Sequence, residues 1–129
     1  MDYENLVKLA NDIKKNAYAP YSNFHVGAAL IGNSGKVYTG VNIENSSYGA
    51  TICAERTAIC KAISEGEKSI KAIAIASDSE DYTFPCGICR QVILEFADKD
   101  LVILCSNNNG KYKVFSLNDF LPNAFVFEK

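Results

Sequence analysis

Ile70-Lys-Ala-Ile-Ala-Ile-Ala76 is apolar almost without a break. That pattern predicts a strand buried on both faces, and such a strand needs cover on each side of its sheet. The flanking segments can supply the cover. Upstream, Cys53 to Glu65 reads as a helix whose stop is Gly66, suited to the left-handed position after a helix C-terminus. Downstream, a polar loop reaches Pro85, and Cys86 to Ala97 reads as a second helical stretch.

Further out, His25 to Ile31 and Val37 to Ile43 are rich in β-branched and small apolar residues around Gly32-Asn-Ser-Gly35, which predicts a β-hairpin. Leu6, Val7, Leu9, Ala10, Ile13 and Ala17 recur at helical spacing, so the first 18 residues read as an amphipathic helix that stops before Ala19-Pro20. Leu101 to Cys105 and Lys113 to Phe115 read as the last two strands. A short helix from about Leu117 to Leu121 follows, with Ser116 as its N-cap. Only Ser106-Asn-Asn-Asn-Gly-Lys111 joins those strands, too short for a parallel crossover, so they should pair antiparallel. The expected fold is α/β: a three-layer α/β/α sandwich with a mixed five-stranded sheet, formed by residues 1–129 as one domain.

Composition narrows the function. With 129 residues, 48% of them hydrophobic and seven each of Phe and Tyr, the chain can build an ordinary core. Its net charge is −2 and its pI about 5.4. A protein bound to polymeric nucleic acid through phosphates would show a basic excess, so no such partner is expected. No apolar run approaches bilayer length, so no membrane partner is expected either. Met1-Asp-Tyr-Glu-Asn-Leu6 lacks the basic start and apolar run of a secretory signal, which predicts a cytoplasmic protein. There, the five cysteines read as thiols or metal ligands, not disulfides.

The chemistry concentrates in Cys53-Ala-Glu55 and, thirty residues beyond Glu55, Pro85-Cys-Gly-Ile-Cys89. Three thiols suit a zinc ion with three protein ligands, whose fourth position stays open to water. Both clusters fall at expected helix N-termini, where the dipole and free N–H groups favour thiolate. Three thiolates on Zn²⁺ sum to −1, which blunts the metal as a Lewis acid; the helix ends and Arg56 can draw charge from the sulfurs. Glu55 is close enough to reach a metal-bound water without being a ligand. The same order of residues marks the zinc-dependent nucleobase deaminases, in which that glutamate moves protons. The bland alternative is a closed four-cysteine site or buried free thiols. Cys60 is two helical turns from Cys53, too far to share a metal, and reads as core. Cys105, at a strand end, stays open as a fourth ligand. His25, the single histidine, reads as a structural or surface side chain. Asn42 and Glu44 can point to one side of a strand end, and Phe24 and Phe125 read by default as core.

Taken together, Ala19-Pro-Tyr-Ser-Asn-Phe24, Val26-Gly-Ala-Ala29, Asn42-Ile-Glu-Asn45, Cys53-Ala-Glu-Arg-Thr-Ala58, Pro85-Cys-Gly-Ile-Cys-Arg-Gln91 and Leu121-Pro-Asn-Ala-Phe125 resemble the cytidine deaminases, in order and over almost the whole chain. The resemblance is to the small form with all-cysteine ligands. It implies hydrolytic deamination of cytidine and 2′-deoxycytidine, one zinc per subunit, and a homotetramer whose active sites are shared. By the same likeness, Cys53, Cys86 and Cys89 would hold zinc and Glu55 would shuttle protons. Asn42 and Glu44 would hold the ribose, Phe24 would line the pocket, and the Ala54 N–H would bond the pyrimidine. Phe125 would pack on the base of a neighbouring subunit, and Arg56 would hydrogen-bond the ligand sulfurs. Val41, Ser46 and Ile88 depart from residues common in the family without removing a ligand. Two rival readings remain: a deaminase of another cytosine nucleoside such as blasticidin S, and a non-catalytic zinc module closed by Cys105.

Overall fold

A computed structural model describes residues 2–127; Met1, Glu128 and Lys129, the outermost residues of the expected domain, lie outside the described residues. The elements run α1 (Tyr3–Ile13), a 3₁₀ turn (Lys14–Asn16), β1 (Val26–Gly32), β2 (Val37–Val41), α2 (Ala54–Ser64), β3 (Ile70–Ser77), α3 (Gly87–Phe96), β4 (Ala97–Ser106), β5 (Tyr112–Ser116) and α4 (Leu117–Phe120). The sheet order is β2-β1-β3-β4-β5. Only β3 and β4 pair in parallel, and α3 makes the crossover between them. β4 and β5 pair antiparallel, as the short connection requires.

Residue alternation along β3 builds the two faces. Ala72, Ala74 and Ala76 pack with Leu6, Val7 and Ala10 of α1. Ile73 and Ile75 point the other way, onto Ala54, Ala58, Ile59 and Ala62 of α2 and Ile93 of α3. The apolar run that reads as a doubly buried strand is therefore two faces interleaved. The glycine at position 40 sets the height of α2 over the sheet. A Cβ there would lie 2.4 Å from Ala58 N and 2.7 Å from Ala54 O, so any other residue would push α2 off β2.

Most boundaries fall within a residue or two of the sequence expectation, and three of the differences have a clear structural cause. The first helix ends at Ile13 with a 3₁₀ turn to Asn16 instead of running to residue 18. Tyr18 is claimed by the sheet side, since its N–H donates to Asn42 O and its carbonyl accepts from Glu44 N. The second hairpin strand stops at Val41 instead of Ile43, and Ile43 makes isolated bridges to Tyr18 and Ile52. β4 begins at Ala97, not Leu101. Ala97 pairs with Ile70 and Val102 with Ala72, so residues 98–100 bulge outward, carrying their charges with them. Gly66, with φ of 100°, ends α2 as expected.

Candidate metal and active site

Two helix starts meet on one face of the sheet. Cys53 is the N-cap of α2 and Cys86 the N-cap of α3. The Cys89 N–H points at Cys86 Sγ at 3.5 Å. The Sγ atoms of Cys53, Cys86 and Cys89 all lie within 4.8 Å of one another, and the Cys53 and Cys86 sulfurs are 3.7 Å apart. Zn–S bonds of about 2.3 Å in tetrahedral geometry separate two sulfurs by about 3.8 Å, so the donor set fits zinc. Among the described residues, this is the one such cluster of His, Cys, Asp or Glu. Cys105 is fully buried in β4 and stands outside it. Cys60 is exposed, which corrects the expectation that it belongs to the core. Seven residues on from Cys53, it faces solvent while its neighbour Ile59 takes the buried position.

The electrostatics favour a thiolate. Hydrogen bonding with Cys89 holds the Cys53 thiol down at about 5 against the opposing effect of burial, with Arg56 and Cys86 adding to the lowering. Cys89 moves up as the protonated partner, through its bond to Cys53 and through burial. Arg56 Nη2 reaches Cys53 Sγ at 3.7 Å and the Thr51 carbonyl at 3.4 Å. Glu55, 4% exposed, is pushed up to about 7 by burial and the Cys53 charge, against its own backbone N–H and Arg56. A carboxyl poised there can take and return a proton near neutral pH.

The cluster opens into a pocket of about 240 Å³ lined by Phe24, Asn42, Cys53, Ala54, Glu55 and Cys86, among others. As first residue of α2, Ala54 has an N–H with no acceptor inside the helix. Asn42 holds the pocket edge, its Oδ1 accepting from Val26 N at 2.9 Å and its Nδ2 donating to Phe24 O at 2.8 Å. Glu44 is not among the residues that line this pocket; it secures the preceding loop. Its Oε1 accepts from Tyr21 N at 2.9 Å and Ser22 N at 3.1 Å, and its Oε2 from the Ser22 hydroxyl. These bonds hold its carboxylate below the usual range.

Phe125 is not brought to this pocket. It lies in a separate cleft with Gln91, Leu94 and Phe127, with its carbonyl accepting from Gln91 Nε2 at 3.0 Å. Phe24 is 40% and Phe125 68% exposed, so neither takes the core place that each would have by default. His25 sits outside the metal cluster, its Nδ1 2.7 Å from Asp78 Oδ2. Sequence reasoning missed Thr83 and Phe84, which form part of the pocket wall. They sit just before Pro85 in a loop without periodicity, so nothing local marked them.

A family model described as the cytidine and deoxycytidylate deaminase zinc-binding region matches residues 1–105. A cytidine deaminase of Sporosarcina psychrophila is 46% identical over 128 residues, covering 99% of this chain and 94% of its own. That of Halalkalibacterium halodurans is 45% identical over 128 residues, covering 99% of this chain and 97% of its own. The crystal structure of a Burkholderia pseudomallei cytidine deaminase superposes with a TM-score of 0.91 at 44% identity, covering 97% of this chain and all of that one. That of the Mycobacterium tuberculosis cytidine deaminase superposes at 0.85 and 38% identity, covering 98% and 99%. Three thiols at two helix starts, a buried glutamate beside them and these relatives over nearly the full length agree: the chain belongs to the cytidine and deoxycytidylate deaminase family.

Proposed function

We propose that this chain deaminates cytidine and 2′-deoxycytidine hydrolytically, giving uridine or 2′-deoxyuridine and ammonia. The observation that carries the reading is Glu55: a buried carboxyl with a pKa near 7, in a pocket wall it shares with two of the three clustered thiols. Cys53, Cys86 and Cys89 hold the zinc. When bound, zinc supplies a water acidified toward neutrality. With zinc in place, Glu55 would take a proton from the attacking water and give it to N3 of the cytosine as C4 is attacked. It would then take the remaining proton from the oxygen added at C4 and hand it to N4, so that the C4–N4 bond breaks, the C4 carbonyl forms and ammonia leaves. The Ala54 N–H orients the pyrimidine, and Asn42 and Glu44 take the ribose hydroxyls. Arg56 draws charge from Cys53, which keeps a three-thiolate site acidic enough to work. Phe24 lines the nucleoside pocket.

The working unit is a homotetramer of one-domain chains in which Phe125 of a second copy closes on the base. The pocket formed by one chain is smaller than the roughly 300–1,000 Å³ of a typical ligand site, and Phe125 lies away from it. Exposed Tyr48, Phe84, Ile88 and Phe127 supply apolar surface of the kind an interface covers. The lack of a basic excess fits a free nucleoside instead of a polynucleotide as substrate, and the setting we propose is cytoplasmic pyrimidine salvage. Among the described residues, no helix is long and apolar enough to cross a membrane. The deciding experiment mixes zinc-loaded protein with cytidine and follows the loss of its absorbance. A preparation carrying one zinc per chain that leaves cytidine unchanged would overturn the reading.

A further inference from the structure

β1 lies between β2 and β3, and both neighbours end where β1 begins. Gly27 pairs with Val41 on one side, and Val26 with Ser77 on the other. The next residue of each flanking strand then continues the hydrogen bonding with its side chain. From the β2 side, Asn42 takes Val26 N and Phe24 O at 2.9 and 2.8 Å. From the β3 side, Asp78 Oδ2 accepts from His25 N at 2.9 Å and from His25 Nδ1 at 2.7 Å. The segment Phe24–Val26 is thus gripped from both edges, once by a residue of the pocket and once by a carboxylate outside it. Asp78 is itself tied down. Lys14 Nζ lies 3.8 Å from Asp78 Oδ1 and donates to the Ser77 carbonyl at 2.9 Å, so the turn after α1 holds the end of β3.

We infer that Asp78, acting through His25, is a positioning residue for nucleoside binding. It touches no part of the pocket. Its work is to fix the backbone on which the Phe24 ring is mounted and whose amides orient Asn42. Charge-assisted bonds suit that task, because they are short and roughly twice as strong as neutral ones. Small displacements of a positioned group are costly in binding and catalysis. Both bonds end on the same oxygen, so an amide oxygen can accept them in its place. A side chain without an acceptor cannot. The inference rests on the reading of Phe24 and Asn42 as nucleoside contacts.

The test compares Asp78→Ala, Asp78→Asn, His25→Ala and Asn42→Ala in the zinc-loaded enzyme, with zinc content measured for each. Asp78→Ala should raise KM for cytidine about tenfold and leave kcat within about twofold, the pattern of lost substrate positioning. Asp78→Asn should recover part of that loss, because its amide oxygen still accepts both bonds without the charge, and His25→Ala should fall between them. A KM unchanged in Asp78→Ala, or no recovery in Asp78→Asn, overturns the proposal; so does a loss confined to kcat or accompanied by loss of zinc. If Asp78→Ala does not fold, an unchanged KM in His25→Ala counts equally against it. Asn42→Ala separates the two levels. Raised KM there with none in Asp78→Ala rejects the positioning role alone, whereas an unchanged KM in Asn42→Ala rejects the ribose contact beneath it.

Discussion

Cys53 Sγ and Cys86 Sγ lie 3.7 Å apart although 33 residues separate them in the chain. The contact exists because each caps a helix that starts at the same end of one sheet face. Cys86→Ser and Cys89→Ala should therefore lose zinc and stability together, since metal binding is coupled to folding of the helix starts. Cys60→Ser, at an exposed position on α2, should keep full metal content. Zinc quantification and thermal melting check both. Zinc lost from Cys60→Ser would void the ligand assignment.

Glu55→Gln should keep its zinc and its fold while activity falls by about 10²–10⁴-fold, the usual worth of general acid–base catalysis. The amide preserves the volume of a side chain that is 4% exposed but cannot carry a proton. Turnover of cytidine near the parent rate, with zinc confirmed, would take Glu55 out of the mechanism.

Glu67 predicts an acid limit to stability. Buried at 6% exposure, its carboxylate accepts from the Ser34 hydroxyl, from Ser34 N at 3.0 Å and from Tyr38 Oη at 2.8 Å. The Ser34 bonds, more than the Tyr38 one, hold its pKa below the ordinary 4.5. The unfolded chain thus binds this proton more readily than the folded one. The stabilisation is complete above about 4.5 and drains as pH falls through the lower folded value. Melting temperatures from pH 7 down to about 3 should fall less steeply in Glu67→Gln than in the parent. Parallel slopes would show that the carboxylate's charge contributes nothing.

Truncation after Pro122 should weaken nucleoside binding and spare zinc, because the three clustered thiols all lie upstream. Phe125 is 68% exposed and away from the metal pocket, so its loss should cost its own subunit little core. Solution mass at micromolar concentration should give a tetramer for the full chain. A fully active monomer, or a truncated chain with unchanged KM, would show that one chain completes its own site.

Much of the molecule was legible in order. The Ile70–Ala76 run, the six-residue link from Ser106 to Lys111 and the glycine at 66 each carry a local rule: period-two burial, a minimum crossover length, a positive φ. The zinc thiols were legible because metal chemistry dictates residue types at short spacing, and Cys-x-Glu with Pro-Cys-x-x-Cys leaves few alternatives. Boundaries were less so. Nothing within residues 14–18 announces that Tyr18 bonds Asn42 and Glu44, so helical spacing alone overstates the length of α1.

Other features belong to the tertiary structure alone. Cys60 and Cys105 look alike in a sequence, yet one is exposed on α2 and the other sealed in β4; only the packing of helices on the sheet separates them. Thr83 and Phe84 join the pocket from the loop that leads into α3, and Asp78 grips His25 at the paired ends of β3 and β1; no local pattern encodes either contact. Sequence determines local conformation and donor chemistry because both act over a few residues. Which distant side chains meet is decided when the sheet assembles, because register and layer packing are set by contacts across the whole chain.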